Sequence, residues 1–326
     1  MRLAAIDLGS NTIRLLVADA DPASGLRVVH GEQVIARLGE GLARNGRLGP
    51  AAMERAFAAV RAYRDRAVRL GADGVITVAT AAVRRAANGE EFLDRLRAEP
   101  RLVPRVVTGE AEARLTLLGV AWGLPVGPGP ICVLDIGGGS TELVIAQDAR
   151  RLGAVSLDLG VVGLVEGFFR TDPVDWAEYG ACADHVAERL RAEAWPTIRR
   201  LGPRALVGTA GTITTLAALD LGLSTYEPAR VQGHRLTAAG ITRLRDCLGA
   251  LSIAARARLP CLEPGRADLI IPGIVITLGV VAGLELAELT VSDTGLREGI
   301  LLDAVGWRPR ARDPAGDARD ARDAAP

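Results

Sequence analysis

The sequence contains no lysine, and all 39 of its Lys+Arg residues are arginine. This absence excludes mechanisms that require a lysine amine: a Walker-A phosphate loop, the strand lysine of protein kinases and a Schiff-base nucleophile. Arginine still binds phosphate, because its planar guanidinium donates two parallel hydrogen bonds. The 39 acidic residues bring the formal net charge to +0, whereas a protein that binds nucleic acid through many phosphates is usually basic. We therefore expect no nucleic-acid partner.

Cysteine and histidine are also scarce, with four and three residues. The cysteines (Cys132, Cys182, Cys247 and Cys261) are widely spaced and form no CxxC or CxxH motif, and the histidines lack metal-ligand spacing. A zinc site or a disulfide framework is therefore not expected. Free thiols in a reducing cytosol are the simplest interpretation.

A membrane-spanning segment is not predicted either. The uncharged stretch 269–284 is shorter than the ~20 apolar residues that a span needs, and it contains Pro272 and three glycines. We interpret it as a buried core helix. Near the N-terminus, Asp7 follows only four apolar residues, too few for a signal peptide. We therefore expect a cytoplasmic protein without a membrane partner.

Hydrophobic residues make up 49% of the 326 residues and charged residues 24%, which is typical of a globular protein with a substantial core. The order of its elements is that of an α/β protein. After consecutive antiparallel strands at the start, the spacing of apolar residues predicts helices at 51–70, 90–98 and 110–122 and strands at 74–79 and 103–107. The length favours two domains.

One pattern occurs twice: an apolar strand, an aspartate, a turn of small polar residues and a second apolar strand. The first copy has Asp7 followed by LGSNT, and the second has Asp135 followed by IGGGST. We interpret this as duplication of one α/β domain. It predicts domains at 1–124 and 125–295, with three prolines between residues 125 and 130 marking a hinge. The Arg/Asp/Ala/Pro-rich end, 308–326, has no apolar period and is predicted to be disordered.

Three loops rich in glycine, serine and threonine directly follow apolar strands. They are GSNT at 9–12, GGGST at 137–141 and GTAGT at 208–212. Glycines allow several backbone N–H groups to point at one spot, and the third loop opens a helix, whose N-terminus favours an anion. A tight turn alone explains one such loop. Three of them, two in matched repeats, predict a polyphosphate-binding cleft between two domains.

Carboxylates near these loops are the candidates for metal binding and for catalysis. Asp7 and Asp135 end very apolar strands, where each caps its own turn or holds Mg²⁺ opposite the phosphates; we favour the second interpretation. Hydrolysis of a phosphate bond needs a group that orients and deprotonates water. No Ser-His-Asp or Cys-His arrangement is visible, so a carboxylate is expected. Sequence position alone leaves Glu110, Glu112 and Glu142 open.

Taken together, these segments resemble the exopolyphosphatase/guanosine pentaphosphate phosphatase family, within the acetate and sugar kinase/Hsp70/actin superfamily. The resemblance extends from Leu3 to about Val305. It implies two RNase H-like (actin-like ATPase) domains with a cleft between them, and a C-terminal helix, 296–306, that crosses back to the first domain. It is carried by these segments, in this order: AAIDLGSNTIRLLVAD, TAAVRRAANGEEF, GEAEARL, VLDIGGGSTELVI, VGTAGTITTLAAL, VQGHRLT, RADLIIPG and VSDTGLREGIL.

The resemblance also implies roles for individual residues. Glu112 and Glu142 match the catalytic glutamates, and Asp135, with Asp7 as its counterpart, matches the Mg²⁺-binding aspartate. Arg266 and the Ser292-Asp293 pair match positions that are as readily structural as functional. The residues matching phosphate-binding positions are Ser10, Asn11, Thr12, Arg84, Gly138, Gly139, Ser140, Thr141, Gly208, Thr209 and Gly211.

The function implied is a Mg²⁺-dependent hydrolase that releases terminal phosphate from inorganic polyphosphate or guanosine pentaphosphate. Longer family members continue into a further helical domain that this sequence lacks, which favours short chains or a nucleotide-borne polyphosphate as substrate. Two alternatives stay open: a small-molecule kinase of the same superfamily, and a non-catalytic nucleotide or alarmone sensor. A homodimer is compatible with the sequence.

Overall fold

The computed structural model of the chain describes residues 1–125 and 129–309. Residues 126–128 of the predicted hinge therefore lie outside the described residues. The same holds for residues 310–326 of the predicted disordered tail, 308–326.

The first part of the chain builds a five-stranded sheet in the order β3-β2-β1-β4-β5. β1 pairs antiparallel with β2 and parallel with β4. Its strands are β1 (Arg2–Leu8), β2 (Thr12–Asp21), β3 (Gly25–Ile35), β4 (Gly74–Ala79) and β5 (Pro104–Val106). Its helices are α1 (Leu42–Asn45), α2 (Pro50–Arg69), α3 (Ala81–Arg85), α4 (Gly89–Arg97) and α5 (Gly109–Gly123).

The second part builds a six-stranded sheet in the order β10-β11-β9-β6-β7-β8. Its strands are β6 (Ile131–Ile136), β7 (Thr141–Gln147), β8 (Arg150–Leu157), β9 (Ala205–Thr209), β10 (Arg235–Thr237) and β11 (Glu288–Val291). Its helices are α6 (Val161–Phe168), α7 (Trp176–Arg189), α8 (Trp195–Leu201), α9 (Ala210–Asp220), α10 (Pro228–Val231), α11 (Ala238–Gly249), α12 (Ile253–Arg256) and α13 (Ile270–Gly283), followed by α14 (Leu296–Ala304). A π-helical turn (Leu190–Ala194) joins α7 to α8, and a 3₁₀ turn (Pro264–Arg266) precedes α13.

The two sheets share one plan. In each, the first three strands form an antiparallel meander, and two further strands add in parallel beside the first strand of that meander. The order β3-β2-β1-β4-β5 in the first sheet therefore corresponds to β8-β7-β6-β9-β11 in the second. Strand β10 is an additional edge strand of the second sheet. The turns after the first strands also match, because Gly9 N–H donates to Thr12 O at 3.1 Å and Gly137 N–H to Ser140 O at 2.9 Å. This confirms the predicted α/β fold class with RNase H-like sheets, and both sheets have the matched strand order that a duplication implies.

The predicted elements are confirmed to within one or two residues at their ends. The uncharged stretch 269–284 contains α13, whose residues from Ile270 to Thr277 are all buried. Pro272 is tolerated because it lies in the first turn, where backbone N–H groups have no partner within the helix. Among the described residues, no helix combines the length and the apolar character required to cross a bilayer.

Helix α5 packs against both sheets. Leu115 belongs to a core cluster with residues of the first sheet, and Ala113 and Leu117 belong to one with the second sheet. The C-terminal helix α14 returns to the first sheet, where Ile300 and Leu301 are completely buried beside β1 and β2.

Helices α5 and α14 cross with their backbones in contact. A Cβ atom on Gly119 of α5 would collide with the carbonyl oxygen of Gly295, and one on Gly299 of α14 would collide with that of Leu115. Glycine is therefore required on both sides of the crossing, because no side chain fits between the two backbones.

We expect Gly299→Ala to lower the free energy of unfolding by about 3 kcal/mol, because the added methyl group forces the two helices apart. Urea unfolding followed by circular dichroism measures this change. The control is Gly180→Ala in α7, where a Cβ atom meets nothing within 4 Å. This control should gain roughly 0.5–1 kcal/mol, because alanine favours a helix interior. Equal stability of the two variants would contradict a tight crossing.

Candidate active site

A cleft of about 860 Å³ opens where the parallel strands of the two sheets end. In such sheets the loops after the carboxyl ends of the strands form ligand sites. Here the cleft is lined by the β1–β2 turn (Gly9–Thr12), the β6–β7 turn (Gly137–Ser140), the β9–α9 junction (Thr209–Thr212) and the loop leading into α14 (Asp293–Glu298).

The two duplicated turns touch each other across the cleft. A Cβ atom on Gly138 would lie 2.9 Å from the Asn11 backbone nitrogen, and one on Gly139 would collide with the Ser10 hydroxyl. Gly138 and Gly139 of the second turn are therefore needed for its close approach to the first turn. The third loop reverses direction at Ala210, whose φ of 69° is left-handed.

Strand register places four polar residues side by side across the second sheet. Asp135 of β6 is paired with Thr209 of β9 on one side and with Glu142 of β7 on the other, and Glu142 is paired with Ser156 of β8. Residues directly opposite one another on neighbouring strands project from the same face. We call Thr209, Asp135, Glu142 and Ser156 the second-sheet row.

The first sheet carries the equivalent row. Asp7 of β1 is paired with Arg14 of β2, and Arg14 with Gln33 of β3. Asp7 thus corresponds to Asp135, but the next position holds an arginine in one repeat and a glutamate in the other. The Arg14 guanidinium lies 3.6 Å from Asp7 Oδ2, so it partly neutralises this aspartate.

Helix α5 adds a further carboxylate between the sheets. Glu112 and Thr116 are four residues apart and so share a face of the helix. The Thr116 hydroxyl donates to Asp135 Oδ2 at 3.0 Å. Arg84 donates to Glu112 Oε2 at 3.1 Å and to the Val107 carbonyl at 2.8 Å, so the Glu112 side chain is fixed from behind by a cation.

Four carboxylates are buried together here: Asp7, Glu112, Asp135 and Glu142 are exposed by 2, 7, 8 and 1%. Burial raises the pKa of Asp7 to about 6, against the opposing charge of Arg14. Burial and the Asp135 charge raise the pKa of Glu112, against Arg84. The pKa of Glu142 is raised well above its usual value by burial and by its two carboxylate neighbours, while hydrogen bonds from Ser156 and Ser140 oppose the rise. Such shifts are typical of catalytic sites.

The residues fit a magnesium ion held partly by substrate. Among the described residues, no group of three or more His, Cys, Asp or Glu side chains has metal-binding geometry. Mg²⁺, however, is usually bound by one or two carboxylates together with water and substrate phosphates. Asp7 Oδ1 is buried without a hydrogen-bond partner, as is Asn11 Oδ1 beside it in the cleft. An unpaired buried carboxylate oxygen is costly, which favours a cation at this place.

Most of the residues singled out in the sequence line this cleft. They are Asp7, Ser10, Asn11, Thr12, Glu112, Asp135, Gly138, Gly139, Ser140, Thr209 and Gly211.

Four of the singled-out residues lie behind the cleft wall. Arg84 contacts Glu112, and Glu142 is buried between its row neighbours. The Thr141 hydroxyl donates to the Leu159 carbonyl at 2.6 Å, so it is already occupied. A Cβ atom on Gly208 would face Ile213 and Leu289, which places this glycine on the core side of its strand.

Two arginines of the cleft were not singled out in the sequence. Arg14 and Arg297 line it together with Arg266, whose side chain is 11% exposed. Burial followed by the Arg14 charge lowers the pKa of Arg266 to about 10. An arginine within the otherwise apolar strand TIRLLVA was an available signal for Arg14. Nothing in the sequence distinguished Arg297 from the other arginines.

Comparisons with known proteins agree on one family. The model described as the Ppx/GppA phosphatase family matches residues 16–307. Exopolyphosphatase 2 of Mycobacterium tuberculosis is 36% identical over 319 residues, covering 94% of this chain and 99% of that protein. A guanosine-5'-triphosphate,3'-diphosphate pyrophosphatase of Aeromonas hydrophila is 31% identical, covering 93% of this chain and 59% of that protein.

Solved structures give the same result. An exopolyphosphatase from Cytophaga hutchinsonii matches with a TM-score of 0.87 at 26% identity, covering 95% of this chain and 99% of that one. The Ppx/GppA family member of Aquifex aeolicus matches with a TM-score of 0.77 at 35% identity, covering 94% and 97%. The fold implied by the sequence resemblance is thereby confirmed.

We expect Asp7→Asn to raise the melting temperature near pH 8 and to raise it less near pH 5. The pKa of Asp7 rises from 3.8 to about 6 on folding, so ionising this carboxyl destabilises the folded state. That cost is absent below pH 3.8 and complete above a pH of about 6, and asparagine avoids it.

Thermal unfolding at the two pH values measures the effect. The control is Asp19→Asn, because Asp19 is paired with Arg2 and Arg27 and its pKa is lowered; no gain is expected from it. A gain from Asp7→Asn that is larger near pH 5 would contradict the assignment.

Proposed function

Because the chain belongs to the Ppx/GppA phosphatase family, we propose that it is a Mg²⁺-dependent hydrolase that releases terminal phosphate from short inorganic polyphosphate, guanosine pentaphosphate or both. The observation that carries this proposal is the placement of Glu112 and Glu142, both buried and both with raised pKa, beside a cleft lined by three glycine-rich loops.

The cleft binds the substrate through its phosphates. The β1–β2 and β6–β7 turns touch each other and line the same cleft, so their backbone N–H groups and hydroxyls together offer one binding place for the terminal phosphate. Ser10, Asn11, Thr12 and Ser140 are the side chains of these turns that line it. The third loop brings the N-terminus of α9 to the same cleft, where the helix dipole favours an anion.

The buried carboxylates direct a water molecule at the terminal phosphorus. Glu112 lines the cleft and Glu142 lies next to Asp135 in the second-sheet row. A carboxylate whose pKa lies near the working pH is a more effective general base than an exposed one, and the pKa of Glu112 is raised to about 7. Arg84 holds Glu112 in place through a direct ion pair. When bound to Asp7 and Asp135, Mg²⁺ would neutralise phosphate charge.

The rest of the phosphate chain meets arginine side chains. Arg14, Arg266 and Arg297 line the cleft without being part of the glycine-rich loops. The pKa of Arg266 is lowered by burial first, and repulsion from the like charges of Arg14 and Arg297 adds to this effect. An anion bound among them relieves this repulsion. The site therefore suits a substrate with several phosphates in a row.

We expect the purified protein to release inorganic phosphate in the presence of Mg²⁺ and to stop when the metal is chelated. Glu112→Gln and Glu142→Gln should fold normally and lose at least ~100-fold in rate, the low end for removal of a general base. Phosphate release from short polyphosphate, long polyphosphate, guanosine pentaphosphate and ATP, measured in parallel, ranks the substrates.

The matched control is Glu110→Gln. Glu110 is on the same helix turn as Glu112, but its exposed side chain pairs with Arg151 outside the cleft, so its replacement should leave the rate unchanged. Near-wild-type rates in both Glu112→Gln and Glu142→Gln would overturn the catalytic assignment. Phosphate transfer to a hydroxyl or carboxylate acceptor would indicate a kinase, and tight binding without turnover would indicate a sensor.

We expect Arg297→Gln to raise the KM for polyphosphate about 10-fold and to change kcat little. Arg297 lines the cleft, and its ion pair in the structure is with Glu298 rather than with Glu112 or Glu142, so its loss removes a charge-assisted hydrogen bond to bound substrate. Steady-state kinetics separates the two constants. Arg243→Gln is the control, because Arg243 is exposed on α11. A fall in kcat at constant KM would contradict a binding role.

A further inference from the structure

Ser156 has no role in the function proposed above, yet it contacts the reaction centre. Its hydroxyl donates to Glu142 Oε1 at 2.8 Å. Glu142 is 1% exposed, whereas Ser156 is exposed and lines a separate cavity of about 370 Å³ together with Gly109, Glu110 and Arg151. A serine facing this open cavity has water available as a hydrogen-bond partner, so burial does not force it to bond Glu142.

The fold gives this hydroxyl a fixed position. Ser156 is paired directly with Glu142 in the β7–β8 ladder, so both side chains project from the same face. The N-terminus of α5 packs over it: a Cβ atom on Gly109 would lie 2.5 Å from Ser156 Oγ. Ser156 is therefore held between its own strand and the helix that carries Glu112.

The corresponding residue of the first sheet orients its neighbour in the same way. Gln33 occupies the position in the first row that Ser156 occupies in the second, and its Oε1 accepts from Arg14 Nε at 3.4 Å and from Arg266 at 3.0 Å. Each repeat thus has a polar residue on its third strand that bonds the charged side chain beside it on the second strand.

We propose that Ser156 is a positioning residue for Glu142: its hydrogen bond fixes one carboxylate oxygen and so holds the side chain in the orientation that activates water. The proposal rests on the hydrolase function proposed above. The proposal also gives a role to the cavity that Ser156 lines. Without the hydroxyl, water from this cavity replaces it as a donor, which keeps the carboxylate solvated but leaves its orientation free.

The test is Ser156→Ala, with Ser156→Thr as the variant that keeps a hydroxyl. We expect Ser156→Ala to fold, to lose on the order of 10-fold in kcat with KM unchanged, as for other partners that orient functional side chains, and Ser156→Thr to recover most of that loss. Arg151→Ala is the control, because Arg151 lines the same cavity but pairs with Glu110; it should behave as wild type.

A double-variant cycle separates action through Glu142 from any other effect. On the Glu142→Gln background, Ser156→Ala should cause no further loss. A full additional 10-fold loss on that background, an unchanged kcat in Ser156→Ala, or no recovery in Ser156→Thr would each overturn the positioning role while leaving the hydrolase intact. Absence of phosphate release by the wild-type protein would overturn the proposed function and this role with it.

Discussion

The structure depends on one electrostatic constraint: four carboxylates are buried close together at the junction of two sheets. Their charges repel one another, and burial removes the water that would screen them. One neighbouring group offsets part of this cost for each carboxylate. Arg14 lies beside Asp7 and Arg84 forms an ion pair with Glu112. Thr116 donates a hydrogen bond to Asp135, and Ser156 donates one to Glu142. This compensation is incomplete, because Asp7 Oδ1 is buried without a hydrogen-bond partner. A site with unmet negative charge beside three glycine-rich loops suits a cation and the phosphates that accompany it.

The shared plan of the two sheets explains why these charges meet. Each repeat has an aspartate at the second-to-last position of its first strand, and the shared strand order brings Asp7 and Asp135 to the same cleft. The repeats then differ at the next position of the row, where Arg14 in one sheet corresponds to Glu142 in the other. In the function proposed here, one sheet therefore presents a positive side chain to bind anions and the other a negative one to accept a proton. A symmetric pair of either kind would perform only half of this chemistry.

Much of the fold was predictable because its signals are local. Strand–turn–strand patterns, the helix beginning near residue 110 and the duplicated Asp-containing turns are all visible in short stretches of sequence, and the structure has them. The rows were not predictable from the residues alone, since they depend on register: Ser156 is 14 residues from Glu142 and opposite it only because β7 and β8 pair as they do. Thr141 and Gly208 are the opposite case, because the sequence singled them out although they do not line the cleft. Both belong to glycine-rich segments, but the direction of the strand turns them toward Leu159 and toward the core.

The glycine crossing of α5 and α14 restricts how the two helices can shift against each other. Backbone lies directly on backbone at Gly119 and Gly299, so the helices do not slide past one another, and rotation about the contact is the freedom that remains. Helix α5 packs on both sheets and carries Glu112 seven residues before Gly119, a lever arm of about 10 Å at 1.5 Å per residue. A rotation of a few degrees about the contact at Gly119 therefore displaces the Glu112 carboxylate by a fraction of an ångström. A displacement of this size is enough to affect an in-line attack.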